Sequence, residues 1–292
     1  MIPELLLSDI QQTINAITGT PTKVISLDAV SGGDINQAFR VRTQSGLYFL
    51  KYNDAVRFPG MFETEALGLK LLKRLNAPRV PKALAHGESE NHSWLLLEFI
   101  EQGSYGKNFW DGFGLLLAQL HKNSNESFGL DHDNYIGSLP QSNKKHTTWN
   151  EFFIEERLEK QLEMARNKGL VDNNLMRSFN RLFKEIPSIF PSEPPALVHG
   201  DLWSGNFMCD ANGNPCIIDP AVYFGFREMD IAMSKLFSGF ESHFYEAYHD
   251  AFPMAPGWQS RIEICNLYPL LVHVNLFGGG YLGSVKSVVT RY

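Results

Sequence analysis

Residues 199–206 read His199-Gly200-Asp201-Leu202-Trp203-Ser204-Gly205-Asn206, and the chain soon afterwards reaches Ile217-Ile218-Asp219-Pro220. Asp201 and Asn206 are five residues apart, the interval at which phosphoryl-transfer loops place a proton-accepting carboxylate and a metal-binding amide. The chemistry explains the residue types. A carboxylate is needed to take the proton of an attacking hydroxyl, and a neutral oxygen ligand one loop away helps to hold a divalent cation. A second carboxylate must reach the same ion, and Asp219 stands at the end of an apolar run that fixes its position. Hard oxygen donors of this kind suit Mg²⁺ rather than zinc. Taken alone, the same residues also make an ordinary polar turn between strands, with Asn212-Gly213 as a plain hairpin. Asp219 downstream and a sheet-forming region upstream favour the chemical reading.

That upstream region opens with a helical period over 4–18, carried by Leu6, Ile10, Ile14 and Ile17 and stopped by Gly19 and Pro21. Short β-branched or aromatic runs follow at 23–30, 38–43 and 47–52, the last two joined by Gln44-Ser45-Gly46. Three antiparallel strands are expected. Residues 61–76 return to a helical period through Leu67, Leu71, Leu72 and Leu75, and 83–86 and 94–100 read as two further strands. Lys51 lies near the end of the third strand, and Glu65 follows fourteen residues later on the helix. A strand lysine paired with a helix glutamate positions nucleotide phosphates in kinases. Glu63 is the alternative partner; Glu65 is preferred because Leu69 and Leu72 place it beside the apolar face. Ser31-Gly32-Gly33-Asp34-Ile35-Asn36 lies between two strands, where backbone N–H groups can cover phosphates.

Beyond Gln102-Gly103 the pattern turns helical: 108–122, 148–168 ended by Gly169, and 172–186 ended by Pro187. A proline-rich linker at 187–195 leads into short strands around 197–198, 207–209 and 216–218, then helices at 228–237 and 258–277. The expected class is α+β in two lobes. A small antiparallel-sheet N-lobe occupies 1–97, a hinge 98–102, and a larger, mainly helical C-lobe 103–292.

Composition narrows the partners. The 292 residues are 43% hydrophobic and 20% charged, which excludes a disordered or fibrous chain. With a net charge of −6 and no lysine- or arginine-rich run, a nucleic-acid partner is not expected. Cys209, Cys216 and Cys265 match no metal-ligand spacing and read as free thiols. The first basic residue is Lys23, so no positively charged leader is visible, and apolar stretches such as 94–99 are too short to span a bilayer. A soluble, cytoplasmic protein without a membrane partner is expected.

The chain resembles the fructosamine kinase (ketosamine kinase) family, within the protein-kinase-like fold that includes aminoglycoside and choline kinases. The resemblance rests on 31–39, Phe62-Glu63-Thr64-Glu65-Ala66, Phe128-Gly129-Leu130-Asp131 with Asn134, and 149–157. It continues through 199–206, Asp219-Pro220-Ala221 with Tyr223 and Gly225, Arg227-Glu228, Asp230-Ile231-Ala232-Met233, and Asn275-Leu276-Phe277-Gly278-Gly279-Gly280-Tyr281. Phe226 departs from it, since the family more often carries a polar residue before Arg-Glu.

The resemblance implies ATP- and Mg²⁺-dependent phosphorylation of a sugar hydroxyl, typically O3, on a ketoamine adduct of a small amine or a protein lysine. The product decomposes to free amine, a deglycation or repair role. It implies Asp201 as the base, Asn206 and Asp219 as metal ligands, and Lys51 and Glu65 as the phosphate clamp. Gly32, Gly33 and Asn36 belong to the phosphate-covering loop, and Leu97, Glu98 and Phe99 to the adenine hinge. Trp203 stacks on the sugar or its amine, or is a core tryptophan; His273 lines the acceptor pocket, or is a buried helix histidine. An aminoglycoside or choline phosphotransferase is the alternative within the fold, against which Trp203 and the 275–281 segment argue. A pseudokinase binding module would have lost Asp201, Asn206, Asp219 or Lys51, and all four are present. A metallohydrolase lacks a second well-spaced histidine. A protein kinase is disfavoured, because Gly-x-Gly-x-x-Gly is absent and Asp219-Pro220 replaces Asp-Phe-Gly.

Overall fold

The computed structural model of the chain describes residues 2–30, 36–73 and 77–292. The chain divides into two units, one formed by Met1–Gly106 with Met208–Ile218 and the other by Lys107–Phe207 with Asp219–Tyr292. The expected hinge at 98–102 falls inside the first unit, which also takes back eleven residues from far downstream. That return depends on contacts distant in sequence, which no local pattern announces.

In the first unit, α1 (Glu4–Thr18) buries Leu6, Ile10 and Ile14 and ends at Gly19 in the left-handed conformation. Ile17 shares that stripe but stands in the last turn of the helix, one residue before its end, and is 43% exposed. The strands β1 (Val24–Ala29), β2 (Gln37–Thr43) and β3 (Leu47–Asp54) precede α2 (Met61–Lys73), and β4 (Ala83–Ser89) and β5 (His92–Glu98) follow it. The sheet order is β1-β2-β3-β5-β4, antiparallel throughout. α1 packs with Val41, Leu50, Tyr52, Trp94 and Leu96 in one apolar cluster. Lys51 sits in mid-ladder rather than near a strand end, opposite Ala38 on β2 and Leu95 on β5. α2 buries Met61, Phe62, Ala66, Leu69 and Leu72; residues 74–76 of the expected helix lie outside the described residues.

The second unit begins with α3 (Phe109–His121) and a hairpin of β6 (Asn134–Ile136) and β7 (Leu139–Gln141). The helix expected over 148–168 is three pieces: α4 (Trp149–Phe152), a π-helical stretch (Phe153–Glu159) and α5 (Lys160–Asn167). The wider turns let Phe152, Phe153, Glu156, Arg157 and Leu158 all face inward, more than a 3.6-residue stripe carries. The Arg157 guanidinium lies 3.9 Å from the Tyr223 ring centre and 4.4 Å from that of Phe152. α6 (Asn173–Ile189) runs through Pro187 instead of ending there, since a missing N–H in the last, exposed turn costs little.

β8 (Ala196–Val198) leads into the 199–206 segment. Next come β9 (Phe207–Cys209) and β10 (Pro215–Ile217), paired as a hairpin, then β11 (Tyr223–Gly225), antiparallel to β8. After α7 (Glu228–Leu236) and α8 (Ser242–Ala251), the helix expected over 258–277 divides into α9 (Trp258–Cys265) and α10 (Leu267–Phe277). Pro269 cannot donate back across that junction, so the hydrogen-bond ladder breaks. α11 (Leu282–Val289) follows. The core of this unit is aromatic: Trp149 stacks on Phe153 and Phe226 at centroid separations of 5.0 and 5.7 Å. Phe226 is thus a core residue, which accounts for its departure from a polar one.

Candidate active site

β8 delivers His199, whose carbonyl accepts the Ala221 N–H at 2.9 Å, and the chain then turns sharply at Gly200 with φ +84°. No other residue fits there: a Cβ on Gly200 would lie 2.1 Å from the Ala221 carbonyl oxygen. The turn is held from below by Asp230, fully buried on α7. Its carboxylate accepts the N–H of His199 at 2.7 Å and of Gly200 at 2.9 Å. It also pairs at 3.0 Å with Nε2 of His121 on α3, whose Nδ1 meets the Tyr248 hydroxyl of α8 at 2.8 Å. Burial opposes a charged Asp230. The His121 hydrogen bond, the charges of His121 and His199 and the Gly200 N–H outweigh it and hold the carboxyl below the usual range.

Asp201 emerges from this turn with part of its surface open to solvent. Asn206 closes back on it, its Nδ2 donating to the Asp201 carbonyl oxygen and to Oδ2, each at 2.9 Å. Asp201 is pushed up to about 7, first by burial and then by the Asp219 charge, with Asp230 adding to it; the Asn206 bond only partly opposes this. Asp219 is exposed and sits at φ +55°, a left-handed position that a short carboxylate tolerates better than most side chains. The second unit thus brings together Asp201, Asn206 and Asp219.

A small pocket beside Asp201 is walled by Ile136, Met229, Met233, Tyr268, Val272 and His273 among others. His273 reaches Pro269 O at 2.7 Å through Nδ1, so Nδ1 carries the proton and donates. Burial lowers its pKa, leaving a neutral imidazole at pH 7. Trp203 is half-buried and begins a row of rings. Phe237 lies 6.1 Å from Trp203, His273 4.9 Å from Phe237, and Tyr281 4.9 Å from His273.

In the first unit Lys51 Nζ and Glu65 Oε1 form an ion pair at 2.8 Å, with side chains only 6% and 12% exposed. Glu63, the alternative partner, is exposed. Asn36 Oδ1 accepts from Asn53 Nδ2 at 2.9 Å, and Gly32 and Gly33 lie outside the described residues. Leu97 is buried in the sheet and Phe99 half-buried. The Glu98 carboxylate is already engaged, pairing with Arg79 and accepting the Lys82 N–H at 3.2 Å.

Sequence reasoning gave no role to Asp230, His121 or Arg79. Asp230 reads locally as a first-turn helix acid matched to the dipole, and His121 as a last-turn cation. Nothing local reveals that each is buried and that they meet.

A kinase-like fold with a strand-lysine/helix-glutamate pair and an Asp-Asn-Asp set defines a phosphotransferase acting on hydroxyl groups. The chain belongs to the fructosamine kinase family, whose sequence pattern matches residues 6–292. A Synechocystis protein named "Probable ketoamine kinase" is 42% identical over 284 residues, 97% of this chain and 95% of that one. A chloroplastic protein-ribulosamine 3-kinase of Arabidopsis thaliana is 38% identical, over 94% of this chain and 84% of its own. A crystal structure from Haemophilus somnus 129PT, described as a "putative fructosamine-3-kinase", superimposes with a TM-score of 0.87 at 28% identity, covering 97% of this chain and 96% of that one. The family expected from the motifs is therefore met along nearly the whole chain.

Proposed function

We propose that the protein transfers the γ-phosphoryl group of ATP to the 3-hydroxyl of a ketoamine, a sugar adduct of a small amine or a protein lysine. The observation that carries this reading is Asp201, held by Asn206 and by a loop anchored on Asp230, beside a pocket with an apolar and aromatic wall. Asp201 accepts the proton of the attacking hydroxyl and aims that oxygen at the phosphoryl group. Lys51, oriented by Glu65, contacts the nucleotide phosphates, and the 97–99 backbone contacts the base. Trp203 and the neutral His273 flank the sugar and its amine. The Asn36 end of the glycine segment supports the phosphate-covering loop.

The residues present fit a divalent cation. Asn206 spends its amide nitrogen on Asp201, leaving its carbonyl oxygen, and the Asp219 charge raises the Asp201 pKa. That is an oxygen donor set whose mutual repulsion a cation relieves. Bound Mg²⁺ supplies neutralisation of the polyphosphate charge. The name protein-ribulosamine 3-kinase borne by a relative supports the 3-position and a protein-borne acceptor. Loss of the phosphorylated sugar would then return free amine, which is deglycation. Three free, buried cysteines support a reducing compartment such as the cytoplasm, and no helix among the described residues is long and apolar enough to cross a membrane.

ATP consumption by purified protein is measured with ribulose-, erythrulose- and fructose-amines, and with an aminoglycoside and choline as controls. Turnover of at least one ketoamine and of neither control is expected. Turnover confined to the controls refutes the acceptor assignment.

A further inference from the structure

We propose that Arg79 is a nucleotide-positioning residue that fixes the backbone of the adenine-contacting segment, an inference that rests on placing residues 97–99 in that role. Arg79 is tied in four directions. Its Nη1 donates to Asp210 Oδ2 at 2.7 Å and its Nη2 to Glu98 Oε1. Its backbone N–H donates to Pro215 O at 3.1 Å, and its carbonyl accepts the Ile217 N–H at 2.8 Å. Both carboxylates are committed further. Asp210 Oδ1 accepts the N–H groups of Asn212 and Asn214, each at 2.9 Å, which shapes the turn between β9 and β10. The second oxygen of Glu98 accepts the Lys82 N–H.

The same hairpin touches the chain just past the hinge. Gly103 N–H donates to Cys209 O at 2.9 Å, and a Cβ on Gly103 would lie 2.2 Å from Asp210 O. One guanidinium therefore clamps the end of β5 to the hairpin. In sequence that hairpin is flanked by Asn206 and Asp219.

An exposed ion pair contributes little by itself. Here one arm ends on Asp210, whose side chain is only 2% exposed, and the fork holds two segments at once. A hinge backbone fixed beforehand lets a nucleotide bind without ordering it, so the clamp acts on affinity.

The test is titration with Mg·ADP, which needs no acceptor, alongside thermal unfolding. Arg79→Gln is expected to weaken Mg·ADP binding by about tenfold. Glu98→Ala should weaken it too, and the double variant should be no weaker than Arg79→Gln alone, because both remove the same link. Ile10→Val, in the core of the same unit, should lower Tm with affinity within about twofold of wild type. An Arg79→Gln variant that lowers Tm while binding Mg·ADP within about twofold of wild type overturns the proposal, as do additive effects. If Arg79→Gln does not fold, unchanged affinity in Glu98→Ala overturns it and weakened affinity supports it. Wild-type protein that fails to bind Mg·ADP also overturns it. Binding of Mg·ADP without turnover of any ketoamine strikes the acceptor assignment alone.

Discussion

Asp230→Asn is the most informative single substitution, because it changes the support of the active-site loop without touching a reacting group. The carboxylate receives the N–H groups of His199 and Gly200 and the His121 Nε2; His199 and His121 are buried and Gly200 is half-buried. Asparagine retains one acceptor oxygen and presents an NH₂ where the other stood, so a donor faces a donor. Leaving one buried donor without an acceptor costs roughly 1–3 kcal/mol. That is the expected loss of stability in urea unfolding at pH 7, survivable against a total of about 5–15 kcal/mol. Alanine strands all of the donors and is expected to cost about twice as much.

The effect on rate follows from geometry. Gly200 and Asp201 are consecutive, and a displacement of about 1 Å in a positioned group lowers rate by about 100-fold. With saturating ATP, kcat for a ketoamine is expected to fall by about 10- to 100-fold while Mg·ADP affinity stays near wild type. The pH dependence gives a second check. The folded pKa of Asp230 is depressed, so its contribution to stability is full above the unfolded value near pH 4 and is lost as pH falls towards the folded pKa. Below about pH 4 the gap in stability between wild type and Asp230→Asn should therefore narrow. An Asp230→Asn enzyme with kcat within about threefold of wild type would show that other contacts hold the loop and refute this account.

Three further outcomes are expected. Asp201→Asn keeps the shape and the Asn206 contact but cannot take a proton; single-turnover phosphoryl transfer should fall by about 10²–10⁴-fold with Mg·ADP binding intact, and a rate within about threefold of wild type rules Asp201 out as the base. Lys51→Met leaves Glu65 without its cation, so Mg·ADP binding should weaken together with a modest drop in Tm; unchanged affinity in a folded variant removes Lys51 from the phosphate site. Excess EDTA should abolish ATP consumption, with restoration by added Mg²⁺ or Mn²⁺, and full turnover in EDTA would remove Asn206 and Asp219 from a metal role.

What was legible in the sequence divides along a physical line. Spacing that encodes chemistry over short separations, such as Asp201 to Asn206, survives folding because one tight turn connects the two groups. The Lys51–Glu65 pair was readable for a related reason: a strand, a turn and the first helical turns have a nearly fixed reach, and Leu69 and Leu72 set the helix face. Short β-branched or aromatic runs marked the strands of the first sheet, β5 among them although it is buried on both faces, and periodicity worked for α1, which buries one face. It failed where burial is two-sided. The π-helical stretch of 153–159 buries a cation, Arg157, among aromatic rings, so no amphipathic stripe exists to be read. It failed also where the decisive partner is remote. Asp230 looks like an N-terminal helix acid until α3 brings His121 against it from 109 residues away, and Arg79 looks like a surface cation until Asp210 arrives from 131 residues downstream. Each of these remote partners ties down a loop or strand end: Asp230 the turn at 199–200, and Arg79 the end of β5 and the β9–β10 hairpin. The groups proposed for the reaction declare themselves by residue type and interval, whereas the groups proposed to hold them in place are chosen by the tertiary structure.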